Sequence, residues 1–435
     1  MDWKRIYREK LVTAEEAVDK VKSGDYVVPS HAAAEPQYLM RKLLERKNEL
    51  QDVKIVQGLN QGSAPYAQPE YGGHFDCFSF FLGKANREAV RQGRGEFVPI
   101  HFYAQPRAFR DGAIPADVAL ISCTPPDERG YVNMGLSCDQ TRVVVEKAGL
   151  SVAQVNGRMP HTCGDTRIHV SQIDYFVEYD EEPIQIPLIS SDDPVAEKIG
   201  YHIASMIRDG DTLQMGQGNV PNAILKFLAD KKDLGIHTEV FSNNLIPLIE
   251  AGVVNCRAKT INQGKIVATF IQGTRELYDY VDHNDMILMK PVDYTNDVGI
   301  IAQNDNMVAI NSALEVDLMG QVVADSIGHK VFSGVGGQLD FLRGAEQSRG
   351  GRPIIALPAT AKNGGISRIS AVLKPGTPVT TTRQDVHYVV TEYGTAHLFG
   401  KSIRERAKAL TAIAAPQFRE QLEADFRRYY ESMGE

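Results

Sequence analysis

The sequence predicts an α/β fold: two related open α/β domains with mostly parallel sheets, and an active site in the cleft between them. At 435 residues the chain exceeds what one small core organises, so two domains of roughly 200 residues are expected. One order of elements also occurs twice: a helix stopped by Gly, a Gly-Asp step into a strand, a short loop, a Pro-started helix and a second strand. From helix-stop glycine to helix-start proline is 12 residues for Gly24 to Pro36 and 11 for Gly210 to Pro221.

The first copy opens at Thr13-Ala-Glu-Glu16, where a threonine followed three positions later by glutamate predicts a capping box. Ala17, Val18 and Val21 supply the apolar face, and Gly24 ends the helix. Residues 25–28 predict a strand and 30–35 a small-residue loop. Pro36 opens an amphipathic helix with Leu39, Leu43 and Leu44, and a strand over 53–56 follows. Further on, 118–122 predict a buried strand and 126–130 a turn. Residues 97–110 mix aromatics with Arg107 and Arg110, which suits a solvated face better than an anion contact. His161 lacks a partner at metal-ligand spacing and reads as structural.

The second copy starts a helix at Asp193-Pro194, with Val195, Ile199, Ile203 and Ile207 on one face. A strand over 211–215 leads into a loop at 216–220, a helix from Pro221 through Leu228, and a strand over 236–241. The prolines of 181–187 and the polar cluster of 190–194 suit a linker, dividing the chain into 1–187 and 188–435.

Composition narrows the function. A net charge of -8 leaves no basic excess to neutralise phosphates, which argues against a general nucleic-acid binder. No apolar run approaches the ~18 residues of a membrane span, and the first residues lack a signal peptide's apolar core. The five cysteines are scattered and never form Cys-x-x-Cys, so they read as reduced thiols of a cytoplasmic protein, with no metal site.

The chemistry concentrates in the second half. The predicted strand 236–241 carries one carboxylate, Glu239, among apolar and β-branched neighbours, and then meets Ser242-Asn243-Asn244. A carboxylate buried at a strand end is costly and tends to have a task. The loop Gln214, Met215, Gly216, Gln217 and Gly218 lies between a strand and a helix. Its glycines allow close backbone approach, and the helix start offers N–H groups to negative charge. It is neither a Walker loop nor Gly-x-Gly-x-x-Gly. In Ser333-Gly-Val-Gly-Gly-Gln338, glycines at 334, 336 and 337 allow main-chain N–H groups to converge, as in an oxyanion hole. Residues 308–317 alternate apolar with small polar residues, like a strand passing a site. Lys362 sits in a flexible turn suited to a phosphate or pantetheine carbonyl. Glu315 and Glu392 rank below Glu239, since neither lies in the repeated unit.

Four separated motifs in order, His237-Thr-Glu-Val-Phe-Ser242, Gln303-Asn-Asp-Asn-Met-Val308, Asn311-Ser-Ala-Leu-Glu-Val-Asp-Leu318 and Gly334-Val-Gly-Gly-Gln-Leu-Asp-Phe341, closely resemble the acetyl-CoA hydrolase/transferase family. The nearest likeness is to the 4-hydroxybutyrate and butyryl-CoA:acetate CoA-transferases. It runs nearly end to end, from Ser30-His-Ala-Ala to Lys401-Ser. The resemblance implies that Glu239 is the nucleophilic glutamate and that Gln214 to Gly218 form the coenzyme A loop. Backbone near Leu314 and at Gly337 would also touch the coenzyme, with Lys362 near it. One departure stands out: many members read Ser-Asp-Gly where this chain has Ser242-Asn243-Asn244.

The expected activity is transfer of coenzyme A from a short-chain acyl-CoA to a free carboxylic acid through a glutamyl-CoA thioester. Main-chain N–H groups of Gly336 and Gly337 would hold the tetrahedral oxyanion. Asn243, Asn311 and Gln338 are candidate donors to keep Glu239 ionised. Coenzyme A enters as a substrate, and no tightly bound cofactor is required. The expected partners are small molecules, with neither nucleic acid nor membrane, and a second copy forming a C2 homodimer. A hydrolase using the same glutamate, and a non-catalytic sensor of CoA, are the alternatives.

Overall fold

Residues Val118–Cys123 are buried at all six positions, as a strand covered on both faces must be. In the computed structural model, which describes residues 2–188, 193–216 and 218–431, this strand lies third in a seven-stranded sheet. The order runs Tyr175–Glu178, Leu150–Val155, Val118–Cys123, Tyr26–Pro29, Val53–Gln57, Phe75–Ser79, Gly95–Phe97. Every pairing in it is parallel.

The capping signal before this sheet acts as expected, but the helix it opens ends at Val18, short of Val21 and Gly24. Thr13 and Glu16 form the reciprocal capping box of the helix Ala14–Val18. Pro36 stands just outside the helix Gln37–Glu45, at its N-cap, and Leu39, Leu43 and Leu44 turn inward. Those leucines join Val27, Ile55, Phe75 and Leu120 in one apolar core.

A second sheet has six strands, ordered Gly235–Ile236, Thr212–Met215, Met307–Ser312, Arg352–Ala356, Tyr388–Thr391, Gly394–His397. All pair in parallel except the last, which returns antiparallel. The repeat read in the sequence therefore corresponds to two like units. In one, Tyr26–Pro29 pairs in parallel with Val53–Gln57; in the other, Thr212–Met215 pairs with Gly235–Ile236. Asp193 caps the helix Pro194–Ala204 through the N–H groups of Val195 and Ala196. Gly200 is required there, since a Cβ would lie 2.9 Å from the Ala223 backbone. Ile301, Val316, Phe341, Ile355 and Val389 belong to this sheet's core.

The helix Pro194–Ala204 stops short of Ile207, and two further expectations for the second copy are corrected. The second copy's helix spans Asn219–Leu225, so Pro221 lies within its first turn and does not open it. The predicted strand 236–241 is two strands, Gly235–Ile236 and Val240–Phe241, which belong to different sheets. Val240–Phe241 pairs in parallel with Phe270–Ile271.

The chain divides into two units. The first comprises Met1–Leu188, Glu239–Asn243 and Val267–Thr295; the second comprises Ile189–Thr238, Asn244–Ile266 and Asn296–Glu435. Of the expected linker, residues 189–192 lie outside the described residues. Its earlier part is anchored: Glu181 Oε1 accepts from the Tyr38 N–H (2.7 Å) and Gln154 Nε2 (2.8 Å), and the Ile186 N–H donates to Gly273 (2.8 Å). Among the described residues no helix is long and apolar enough to cross a membrane.

Candidate active site

Glu239 sits on the link between its two short strands, partly buried. The sheet ladder runs one step past Ile236, through the His237 N–H to the Leu213 carbonyl (3.1 Å). The Thr238 hydroxyl then donates to the Met215 carbonyl at 3.0 Å, so a side chain continues where backbone pairing stops. The Glu239 carbonyl accepts from two N–H groups, Thr269 (2.9 Å) and Phe270 (3.1 Å). A strand running straight through would place residue 239 in one ladder; here the doubly held carbonyl turns the chain instead.

The first unit surrounds this turn with a small apolar cluster of Ala32, Phe102, Val240, Phe270 and Val292. His31 packs edge-on against Phe102 and Phe270, with centroids 5.6 and 4.9 Å apart. Its Nδ1 lies 2.8 Å from Asp139 Oδ2, both side chains being buried. Gly58 must lack a side chain, because a Cβ would meet the His31 ring at 2.9 Å. Glu35 Oε2 accepts from Gln57 Nε2 (2.9 Å) and Asn60 Nδ2 (2.8 Å). Burial pushes that carboxyl up to about 7, against the lowering effect of the two amides. Residues 30–35 read as a small-residue loop in the sequence; a histidine and a glutamate among alanines are the signal for more.

Asn243, a candidate donor to Glu239, is engaged elsewhere. Its amide donates to Thr274 Oγ1 (2.8 Å) and its carbonyl accepts from the Thr274 N–H (3.0 Å), holding the start of the helix Arg275–Val281. Asn244 donates to Asn222 Oδ1 in the second unit. Arg110 pairs with Asp293 at 3.1 Å and, like Arg107, is exposed. His161 stacks on His283, centroids 4.5 Å apart.

The second unit carries the other predicted residues. Gln214 and Met215 end their strand buried, Gly216 is exposed, and Gly218 takes φ 138°, open to glycine. Gln217 lies outside the described residues. Gln214 Oε1 accepts from Asn311 Nδ2 at 3.0 Å, joining adjacent strands. The helix after the loop has only seven residues. The Leu314 N–H is spent on the Val323 carbonyl at 2.8 Å. Gly336 needs its positive φ of 55°, and Gly337 is the N-cap of the helix Gln338–Gln347. Among the described residues, the N–H groups of Gly336 and Gly337 have no hydrogen-bond acceptor. Gln338 is fixed by its donation to the Ser312 carbonyl (2.7 Å) and by the Thr381 hydroxyl (3.1 Å). Lys362 is exposed at φ 47°, at the tip of the hairpin that pairs Thr360–Ala361 with Ile366–Ser367.

Of the rival carboxylates, Glu315 accepts from the Ser370 hydroxyl (2.6 Å) and Glu392 from the Ala359 N–H (2.8 Å). Among the described residues, no cluster of three His, Cys, Asp or Glu side chains could hold a metal ion.

Mostly parallel α/β sheets, with glycine turns in the second unit and a main-chain-anchored glutamate in the first, define the chain's class as an α/β protein. The particular family follows from comparison. Residues 1–188 match the acetyl-CoA hydrolase/transferase N-terminal domain and 273–426 its C-terminal domain. The 4-hydroxybutyrate coenzyme A transferase of Clostridium kluyveri is 47% identical over 430 residues, covering 99% of this chain and 100% of the relative. The succinyl-CoA:cyclohexane-1-carboxylate CoA transferase of Geobacter metallireducens is 43% identical, covering 98% and 97%. The crystal structure of 4-hydroxybutyrate CoA-transferase from Porphyromonas gingivalis superposes with a TM-score of 0.85 at 40% identity, covering 99% and 100%. The chain belongs to the acetyl-CoA hydrolase/transferase family and is an enzyme, a CoA-transferase.

Proposed function

We propose that the enzyme moves coenzyme A from a short-chain acyl-CoA to a free acid such as acetate, butyrate or 4-hydroxybutyrate, by ping-pong through a thioester on Glu239. The observation that carries this reading is the turn itself, a partly buried carboxylate whose main chain is held by two N–H groups. The name of the Clostridium kluyveri relative supports 4-hydroxybutyrate, and relatives named as butyrate:acetyl-CoA and butyryl-CoA:acetate CoA-transferases support butyrate and acetate.

A carboxylate attacks a thioester poorly in one step, and a fixed nucleophile divides the barrier. A carboxylate oxygen of Glu239 adds to the acyl carbon, and collapse breaks the C–S bond. CoA leaves as thiolate with the electron pair, giving a mixed anhydride. The thiolate adds to the Glu239 carbonyl carbon and the anhydride C–O bond breaks, releasing the first acid as carboxylate. The acceptor acid attacks the resulting glutamyl-CoA thioester, and the same two steps in reverse deliver the new acyl-CoA and restore the Glu239 carboxylate. Protons balance throughout.

The residues take complementary roles. N–H groups of Gly336 and Gly337 hold the oxyanion of each tetrahedral intermediate, a donor of this kind typically being worth about 3 kcal/mol. Gln214, Met215, Gly216, Gln217 and Gly218, with backbone at Leu314 and Gly337 and the Lys362 ammonium, bind the coenzyme. Exclusion of water protects both activated intermediates. As sequence units, 1–187 and 188–435 are the two related halves, the nucleophile being encoded in the second. A cytoplasmic location is supported by five free cysteines, and a homodimer is the assembly to be checked by light scattering.

Initial rates with both substrates varied test the scheme. Parallel double-reciprocal lines are expected, and intersecting lines contradict it. The family's name also covers hydrolases, and a second reading lets water replace the acceptor acid at the proposed glutamyl thioester. Release of free CoA at equal rates with and without an added acid would favour that second reading.

A further inference from the structure

Lys259 is one of the largest fully buried side chains, 1% exposed. Its Nζ donates to two main-chain carbonyls, Ile236 and Lys265, each at 2.9 Å. Gly235 leaves room for the lysine stem: a Cβ there would stand 2.5 Å from Lys259 Cγ and 3.0 Å from Cδ. The loop around it is tightly held, with Asn255 and Cys256 N–H groups on the Leu234 carbonyl and the Gly264 N–H on the Cys256 carbonyl.

The two carbonyls mark two particular places in the chain. Ile236 lies three residues before Glu239, at the end of its strand. Lys265 lies four residues before Thr269, just ahead of the strand Ile266–Ala268. These two segments meet again where the Thr269 and Phe270 N–H groups hold the Glu239 carbonyl. One buried amine therefore ties the bases of both segments whose far ends form the nucleophile's turn. Burying a lysine is costly unless its donors are used, and a methionine would fill the same space without that cost.

We infer that Lys259 is a positioning residue for the CoA-transfer reaction: by clamping the Ile236 and Lys265 carbonyls it fixes the turn that presents the Glu239 carboxylate. This rests on Glu239 being the nucleophile. The lysine touches no substrate and acts through the main chain alone. Misplacement of a reacting group by about 1 Å costs on the order of a hundredfold in rate, so loss of the clamp lowers the chemical step while leaving CoA binding intact.

The test is a single-turnover experiment on the full-length enzyme, comparing wild type, Lys259→Met and Glu239→Ala with butyryl-CoA. Intact-mass spectrometry follows the CoA adduct in time, giving the fraction of molecules that react and their rate constant. For Lys259→Met the expected result is a near wild-type reacting fraction, a rate constant reduced about ten- to hundredfold, and an unchanged Kd for CoA. A merely structural role would lower the reacting fraction and melting temperature while the folded molecules react at the wild-type rate constant; that result overturns the inference. Should Lys259→Met fail to fold, Lys259→Leu, which likewise removes the donors, is measured in the same way. A wild-type rate constant there, or failure of both variants to fold, also overturns it. An adduct persisting in Glu239→Ala would instead remove the nucleophile assignment, a failure separate from that of the clamp.

Discussion

The main-chain N–H of Thr269 donates to the carbonyl of Glu239 at 2.9 Å, with the Phe270 N–H adding a second bond at 3.1 Å. A carbonyl holding two donors cannot rotate without losing both, and each lost bond costs about 1 kcal/mol. The side chain of Glu239 is thus carried on a fixed peptide, at the point where one sheet's ladder ends and another begins. For the nucleophilic role proposed for Glu239, this anchorage would limit the search to the torsions of the side chain.

Glu239→Gln keeps the shape of the side chain and removes its charge. The expected outcome is a loss of turnover of about 10³-fold or more, with CoA affinity close to wild type. Steady-state rates and calorimetric titration of CoA check it. Because the carbonyl bonds belong to the main chain, the melting temperature should move little.

Asn243→Ala removes both hydrogen bonds to Thr274, and with them the restraint on the start of Arg275–Val281. A loss of about 1–2 kcal/mol is expected, read by denaturant unfolding. Since this amide is committed to Thr274, catalysis per folded molecule should fall less than for Glu239→Gln. The departure from Ser-Asp-Gly noted in the sequence thus has a local structural purpose at position 243.

Arg352 and Asp211 form a buried pair in the second unit, the guanidinium also donating to the Met206 carbonyl at 2.7 Å. Burial raises the Asp211 carboxyl while the arginine opposes it. Arg352→Met leaves that carboxylate buried without its partner, and destabilisation of about 3–5 kcal/mol is expected. Asp211→Asn combined with Arg352→Met should recover part of it, as a double-mutant cycle reads directly.

Burial pushes the Lys259 ammonium down to about 8 from its ordinary 10.5. Between those values the unfolded chain binds the extra proton, so unfolding free energy rises with pH across that window. Below pH 8 the cost of the buried charge is felt in full. Two carbonyl acceptors are served by the two N–H bonds of a neutral amine, so the clamp survives loss of the proton. The difference in stability between wild type and Lys259→Met, measured from pH 7 to 10, should therefore shift in favour of wild type as pH rises.

Glu35 behaves in the opposite sense. Its carboxyl is raised to about 7, so the folded state holds a proton that the unfolded chain has released above the ordinary 4.5. The stability it contributes is present below pH 4.5 and is lost as pH climbs through 7. Glu35→Gln should flatten that slope in urea unfolding between pH 4.5 and 7.5.

Much of this architecture was legible because local chemistry and tertiary structure agree. The capping box at Thr13–Glu16 forms as written, and the Gly-Asp steps lead into parallel strands in both copies. What could not be read is non-local. Six β-prone residues over 236–241 look like one strand, and only the N–H groups of Thr269 and Phe270, some thirty positions on, break them in two. Lys259 was invisible for a related reason: a lysine reads as surface until Gly235 and two distant carbonyls make a slot for it. Of the candidate donors to Glu239, the Asn243 amide also donates to Thr274 and the Asn311 amide to Gln214.

The covalent role of Glu239 is tested most directly by peptide mapping during turnover. The enzyme is mixed with butyryl-CoA, quenched in acid, digested, and the fragments weighed. The account predicts one modified peptide, containing Glu239 and heavier by CoA less water, which disappears when acetate is added in excess and never forms in Glu239→Gln. An enzyme that turns over at full rate with that peptide unmodified, or with CoA attached at Glu315 or Glu392, would contradict it.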